Sequence, residues 1–440
     1  MSPLTPVEDH LRTILSALEP LAPVTLPLAR AHGTVLAQDV RALLAVPPWT
    51  NSAMDGYALR QQDLGSAAPV VLPVSQDVPA GSVPTPLEPG TAARIMTGAT
   101  LPAGADTVVR VEDTDQEPGP RPLPDQVTVR VLPQAGANVR HAGENTACGD
   151  PVLGRGTLLG ARELAALAST GHGTVLVRPR PRVAVVSTGA ELSEPGQPLA
   201  PGHVPDSNSL LLAGLLTEVG AHCAGTWRAA DTSASLAEVL LQAAADADLV
   251  VTSGGVSAGA FDPLTMLAAQ HQEPAGAATD GQSARVHLTF ASLAMQPGKP
   301  QAHGYIDVRG RRVPLLALPG NPVSVLVSFT SLVRPALARL AGLQPPAPAV
   351  LPGYARAASA WSSPVGRRQH VPVRLVPAPA GHPGQEDTWV APTHRLGSGS
   401  HLVASLPQAQ ALAVVDEEVP AVELGQLLRL LPLPAPWQRA

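Results

Sequence analysis

Arg182–Thr188 (RVAVVST), Asp248–Gly254 (DLVVTSG), Arg285–Phe290 (RVHLTF) and Val313–Pro319 (VPLLALP) are short runs rich in Val and Leu. Segments of helical character alternate with them at 207–219, 232–247, 262–271 and 322–341. Runs of this length and composition suit strands buried on both faces, and their alternation with helices predicts βαβ units in a mostly parallel sheet covered on both sides. Ligands of such sheets bind beyond the carboxyl ends of the strands, where glycine-rich turns and helix N-termini present backbone N–H groups to an anion.

Four turns stand at those ends: Ser187-Thr188-Gly189-Ala190-Glu191, the stretch from Ser253, Gly254 and Gly255 through Ser257 to Gly259, Pro297-Gly298-Lys299-Pro300, and Leu318-Pro319-Gly320-Asn321-Pro322-Val323-Ser324. A single glycine turn is more often a plain strand-to-helix corner than a ligand loop, but four in one domain favour an anion or nucleotide cleft. Neither G-x-x-x-x-G-K-[ST] nor a G-x-G-x-x-G after the first strand is present, which argues against a P-loop NTPase and a dinucleotide site. Lys299, between prolines that fix the backbone, is a preorganised positive charge, with a solvated loop lysine as the plainer reading. Asp262, at the start of a helix, reads from pattern alone as an N-cap before it reads as a metal ligand.

Outward from this centre, residues 5–19 predict an amphipathic helix with Thr5 as N-cap, Pro6 in its first turn and Pro20 ending it. From Val46 to Asn145 short Val-rich runs at 70–74, 106–111 and 127–132, broken by Pro-Gly and Gly-Ser turns, predict a β domain. Residues 161–170 return to helix with Gly171 as stop. After Gly342 a proline-rich linker leads to a second β domain. The expected parts are 1–45 completed by 146–177, 46–145, 178–342 and 343–440.

The chain has 440 residues, room for about three domains. Five Trp, three Tyr and three Phe leave Ala, Val and Leu to build the cores and offer little for base stacking. A net charge of −6 with 29 Lys and Arg supplies no basic footprint, so nucleic acid is not an expected partner. No leader pattern and no run of about 18 apolar residues is present, so the expectation is a cytoplasmic protein without membrane contact. Cys148 and Cys223 lack metal or redox spacing and read as packing or surface residues.

Several long strings in this order resemble the MoeA/gephyrin-type molybdopterin molybdenumtransferases: PPWTNSAMDGYA (47–58), ARIMTGATLPAGADTVV (93–109), SGGVSAGAFD (253–262), MQPGKP (295–300), ALPGNPVSVL (317–326) and, more loosely, GSGSHL (397–402). The resemblance runs from about residue 5 to the C-terminus. It implies insertion of molybdate into adenylylated molybdopterin with release of AMP, aided by Mg²⁺. It also implies an elongated homodimer of four-part chains and contact with an adenylyltransferase and with acceptor molybdoenzymes.

Matched position by position, the resemblance implies catalytic roles for Asp55, Thr97, Glu191, Asp231 and Asp262, the last two also as metal ligands. It implies ligand binding by Ser253, Gly254, Gly255, Ser257, Lys299, Pro319, Gly320, Asn321, Ser324, Arg367 and Ser400, with Ser324, Arg367 and Ser400 on molybdate. Arg, hydroxyls and backbone N–H groups suit a tetrahedral oxyanion, and carboxylates suit Mg²⁺. The chain departs from the family pattern at Asn145, Ala190, Gln296 and Thr265, a loss of two carboxylates and two positive charges. A binding or scaffold protein with reduced turnover is therefore the alternative to an enzyme.

Overall fold

The computed structural model describes residues 4–256, 262–270, 285–343, 353–382 and 386–433. Two compact units emerge: one of Met1–Val24, Gly33–Ala37 and Val177–Ala440, the other of Thr25–His32 and Gln38–Leu176.

In the first unit, helix α1 (Val7–Ser16) buries Val7 and Ile14 in the main apolar core. Its cap differs from the expectation. Pro6 is the N-cap residue and no side chain caps the helix. The Thr5 backbone is instead drawn into a bridge with Leu293, its amide donating to Ser292 O at 2.8 Å and its carbonyl accepting from Ala294 N at 2.8 Å. A Thr held extended by two backbone bonds has no freedom to turn its hydroxyl onto the helix.

In the second unit, a five-stranded sheet is built from Gly56–Leu59, Val70–Val78, Ala92–Ile95, Thr107–Arg110 and Gln126–Val129. Its two faces carry separate cores, one around Tyr57, Leu59 and Val127, the other around Ala58, Ile95 and Val108. The same unit holds helix α2 (Ala161–Ser169), where Glu163 Oε2 accepts from Gly160 N at 3.0 Å and Gly171 follows the helix at φ +93°.

The first unit is organised by a six-stranded sheet: β1 (Arg182–Thr188), β2 (His222–Ala229), β3 (Leu249–Ser253), β4 (Arg285–Ser292), β5 (Pro300–Val308) and β6 (Arg311–Leu318), in the order β2-β1-β3-β6-β5-β4. The pairs β1·β2, β1·β3 and β3·β6 are parallel. The other two pairs are antiparallel, so RVHLTF enters as the edge strand of a meander. The short link Arg309-Gly310, with φ +49° and +75°, explains why. Strands joined by a two-residue turn pair antiparallel, whereas a parallel partner needs a crossover of a dozen residues or more.

Helices α3 (Ser207–Glu218), α4 (Ser233–Ala244), α5 (Pro263–Gln270) and α6 (Pro322–Ala341) cover the sheet. Leu212 and Phe329 seal one face with Val183, Val185 and Val251; Leu236, Leu240 and Leu264 seal the other with Ala184, Val186 and Val250. Helix α6 contains a π turn at Phe329–Val333, followed by Arg334 and Pro335. A proline lacks the N–H and crowds the preceding turn, and a π turn is one way to absorb that misfit. Gly342, at φ +72°, ends the helix.

The last described segment closes into a barrel. Strands β7 (Tyr354–Ala357), β8 (Arg368–Val376), β9 (Trp389–Pro392), β10 (Ala411–Val415) and β11 (Leu427–Pro432) pair as β8·β9, β9·β7, β7·β11, β11·β10 and β10·β8. Met295–Gln296 adds parallel to β8, with Met295 opposite Arg368. A piece of the α/β domain is thus stitched into the barrel sheet.

Candidate functional site

The order of winding reverses about β1, with β2 added on one side and β3 on the other, so a crevice is expected outside the carboxyl ends of β1 and β3. Those ends are Thr188 and Ser253. Because β5 runs antiparallel to β6, pairing Ala302 with Ala317, its start also lies on this edge and brings the Pro-Gly-Lys-Pro turn beside Pro319. Asp231 follows β2, and Asp262 precedes α5, on the same edge.

The turns are interlocked. Gly254 N donates to Leu318 O at 3.0 Å, and Gly254 and Gly255 take φ of +88° and +70°. A Cβ on Gly254 would lie 2.5 Å from Thr188 O, so only glycine fits this approach. Gly320 packs on Gly254, a Cβ there lying 3.5 Å from Gly254 Cα. Ser257 lies outside the described residues.

Around this crossing the side chains are polar, buried and unanswered. Thr188 Oγ1, Thr252 Oγ1, Ser253 Oγ and Asn208 Oδ1 are enclosed without a hydrogen-bond partner. Thr188 and Thr252 lie on the sheet face covered by α4, and Ser253 on the face covered by α3; buried polar groups normally find partners, and unanswered ones at strand ends call for water or a ligand to complete them. Asp206 caps α3: its carboxylate accepts from Ser187 Oγ and Ser209 Oγ at 2.7 Å each and from Ser209 N at 3.1 Å. Sequence reading passed over Asp206 and Asn208. The available signal was Asp-Ser-Asn at the head of a helix that follows the first strand.

Lys299 is held from both sides. Its carbonyl accepts from Leu293 N at 2.7 Å, and the buried Gln301 amide donates to Gly298 O at 2.8 Å and Ser328 Oγ at 2.7 Å. Among the described residues no carboxylate forms an ion pair with its ammonium. Asp262 Oδ1 accepts from Leu264 N at 3.2 Å, the cap-like role that pattern favoured. Glu191 and Asp231 are exposed at the rim.

The barrel reaches the same neighbourhood. Arg367 Nη1 donates to Gln296 Oε1 at 3.3 Å, one residue before the Pro-Gly-Lys-Pro turn. Gln369 Nε2 donates to Ser398 Oγ at 2.9 Å, and Ser400 O accepts from Val323 N at 3.2 Å in the first turn of α6. Ser324, next in sequence, is buried. Arg367 thus meets the residue before the Pro-Gly-Lys-Pro turn, and Ser400 meets the first turn of α6 through its backbone, next to Ser324. Asn321, exposed, begins α6 without using its side chain as a cap.

Asp55 and Thr97 belong to the other unit, where they meet each other: Thr97 N and Oγ1 donate to Asp55 Oδ1 at 2.6 and 2.7 Å. These two bonds hold the Asp55 carboxyl below the usual carboxylate range. That unit also carries an open cavity of about 510 Å³ lined by Val46, Pro47, Asn51, Arg140, Glu144 and Asn145. Arg140 and Glu144 were not singled out by the sequence reading, which stopped at Asn145.

These features define the class: a doubly wound α/β protein whose sheet carries interlocked glycine turns and a lysine turn at its carboxyl edge, with additional β domains. Three family profiles match the chain in order. They are the MoeA N-terminal region (domain I and II) over residues 5–171, a probable molybdopterin binding domain over 184–339 and the MoeA C-terminal region (domain IV) over 354–433. A relative named molybdopterin molybdenumtransferase 2, from Mycobacterium tuberculosis, is 41% identical over 77% of this chain and 80% of its own. A molybdopterin molybdenumtransferase from Nostoc is 39% identical over 71% of this chain and 68% of its own. Two crystal structures of a molybdopterin biosynthesis MoeA protein from Pyrococcus horikoshii have TM-scores of 0.74 and 0.72 at 29% and 25% identity. They cover 99% and 97% of this chain and 100% and 99% of their own. The chain belongs to the MoeA family of molybdopterin molybdenumtransferases, a family of molybdenum cofactor biosynthesis.

Proposed function

We propose that this protein inserts molybdate into adenylylated molybdopterin and releases AMP. The observation that carries the reading is the set of unanswered polar atoms where the Gly254 and Gly320 turns cross, in a chain of this family. The glycine turns bring backbone close to a ligand, and Lys299 supplies a fixed positive charge. Arg367, Ser400 and Ser324 converge as donors for the oxyanion. Two separate donor groups suit a reaction that joins two anions, since each must be held against the other's charge. Gln296 in place of the family's usual lysine accepts a hydrogen bond from Arg367, where a second cation would repel it.

Among the described residues no group of three or more His, Cys, Asp or Glu could hold a metal ion, so these residues form no closed cage. Two carboxylates on one edge fit a Mg²⁺ bound mainly through a substrate's phosphates. Asp231 and Asp262 are the residues that would hold it, and when bound it would neutralise charge on the phosphoanhydride. Asp55 and Thr97, Glu191 beside the Gly189 turn, and the four-part division with boundaries near 45, 145, 177 and 342 complete the proposal. So do a homodimer, a cytoplasmic location and contact with an adenylyltransferase and acceptor molybdoenzymes. Helix α6 is long and apolar enough to cross a bilayer, but 78% of its most apolar 18-residue stretch is buried in the protein, as a core helix would be.

Single-turnover AMP release from adenylylated molybdopterin, with and without molybdate, tests the reading. Molybdate-dependent release is expected, and its loss in Asp262→Asn with little change in melting. Wild-type release by Asp262→Asn would remove that residue from the chemistry. Tight molybdopterin binding without any AMP release would favour the scaffold alternative.

A further inference from the structure

Asn208 is more than nine-tenths buried in the first turn of α3, and its two amide ends have different fates. Nδ2 donates to Gly320 O at 2.6 Å. A carbonyl can only accept, so this bond fixes which end of the amide is nitrogen and leaves Oδ1 as the free end. Oδ1 is buried without a partner. Asn208, at the start of the helix that follows β1, thus reaches the turn after β6, where Gly320 packs closely on Gly254.

We infer that Asn208 is a specificity-determining residue whose Oδ1 accepts a hydrogen bond from an N–H of the ligand's heterocycle, either on the ring or on an exocyclic amino group. This inference rests on the molybdopterin reading above and adds the residue that recognises the ligand's heterocycle. The N-terminus of α3 is unsuited to a phosphate, because the Asp206 carboxylate already occupies it and adds a negative charge. An amide oxygen beside that carboxylate repels an anion and attracts a donor. Phosphate belongs instead with the Gly254-Gly255 turn and Lys299. Asn208 cannot rotate to offer its NH2 without abandoning Gly320, so the preference for a donor is built in. Ser253 Oγ, buried and unpartnered on the sheet face that α3 covers, can donate or accept beside it.

The ligand has two heterocycles with N–H donors, a pterin and an adenine, and the test separates them. Molybdopterin, AMP and inorganic pyrophosphate are titrated into wild type and Asn208→Ala. Removing the acceptor of a buried heterocycle N–H is expected to weaken binding roughly 5- to 100-fold. Loss for molybdopterin alone assigns the pterin; loss for AMP alone assigns the adenine; either supports the inference. Unchanged binding of both, or a loss for pyrophosphate as large as for either, overturns it. Ligand-side deletion in the wild type gives the same answer without any variant. N6,N6-dimethyl-AMP or an N-methylated pterin should bind as weakly as its parent binds Asn208→Ala, and equal binding of parent and methylated forms in both pairs refutes the inference. A wild-type protein that binds neither parent refutes the functional reading itself, whereas wild-type binding unaffected by Asn208→Ala refutes only the role of Asn208.

Discussion

Asp206→Ala should unfasten the N-terminal half of α3 while leaving the second compact unit untouched. The carboxylate accepts three hydrogen bonds, from Ser187 Oγ, Ser209 Oγ and Ser209 N. Losing the cap costs about 1 kcal/mol. Losing two buried hydroxyl-to-carboxylate bonds costs roughly 1.5–3 kcal/mol each. Ser209 Oγ stays 3.2 Å from Ser187 Oγ, so one bond survives between the two orphaned hydroxyls and returns about 1 kcal/mol of that loss. The net is about 4 kcal/mol, which is about three decades in a local opening equilibrium. Asp206→Asn keeps an acceptor for Ser209 N and should cost only about 1–2 kcal/mol. Amide hydrogen exchange read by mass spectrometry compares the peptide over Ser207–Glu218 with that over Thr107–Arg110. Global unfolding is a poor readout here, because two units need not unfold together. Unchanged protection in α3, or equal loss in both peptides, would refute the reasoning.

Acid should destabilise the first unit before its carboxylates titrate. Burial depresses His370 to about 3 and His10 to about 4, and it also lowers His303, whose ring meets that of His10 at 4.9 Å. A histidine kept neutral when folded takes up a proton on unfolding, so its stabilisation is complete above about pH 6.5 and is lost as pH falls toward the folded value. Each group adds up to about 1.4 kcal/mol per pH unit in that window; melting recorded from pH 7 to 4.5 should fall, and His370→Gln should flatten the fall. Lys299→Ala should weaken molybdopterin binding by one to two decades, roughly 1.5–3 kcal/mol for a charge-assisted bond, as read by titration. Arg367→Ala should raise the molybdate concentration for half-maximal AMP release with molybdopterin affinity little changed; equal loss for both ligands would deny a separate oxyanion site.

The strands β1, β3 and β6 and the three glycine turns at their ends were legible because runs rich in Val and Leu leave little other placement. Strand β2 was missed: HCAGTWRA mixes Gly, His and Arg, as an edge strand exposed on one side can. Strand β5 (PQAHGYIDV) was also missed, since Gly, His and Gln break its apolar pattern, and without it the antiparallel edge of a mostly parallel sheet could not be read. The cap at Thr5 failed because its amide and carbonyl are claimed by residues nearly 290 positions away. In the site, Asp206 and Asn208 escaped notice because their meaning lies in partners that come from other elements, Ser187 on β1 and Gly320 beyond β6. Glycines announce themselves locally; a polar residue whose free end matters does not.

The central claim is transfer, and its most direct measurement is a balance sheet for one turnover. Purified protein loaded with adenylylated molybdopterin is mixed with molybdate and Mg²⁺, and AMP is quantified beside the molybdenum that stays with the pterin after gel filtration. The expected result is one molybdenum gained for each AMP released, with neither event in the absence of molybdate. AMP released without molybdenum gained, or adenylylated molybdopterin held intact through the incubation, would contradict the assignment of a molybdenum transferase.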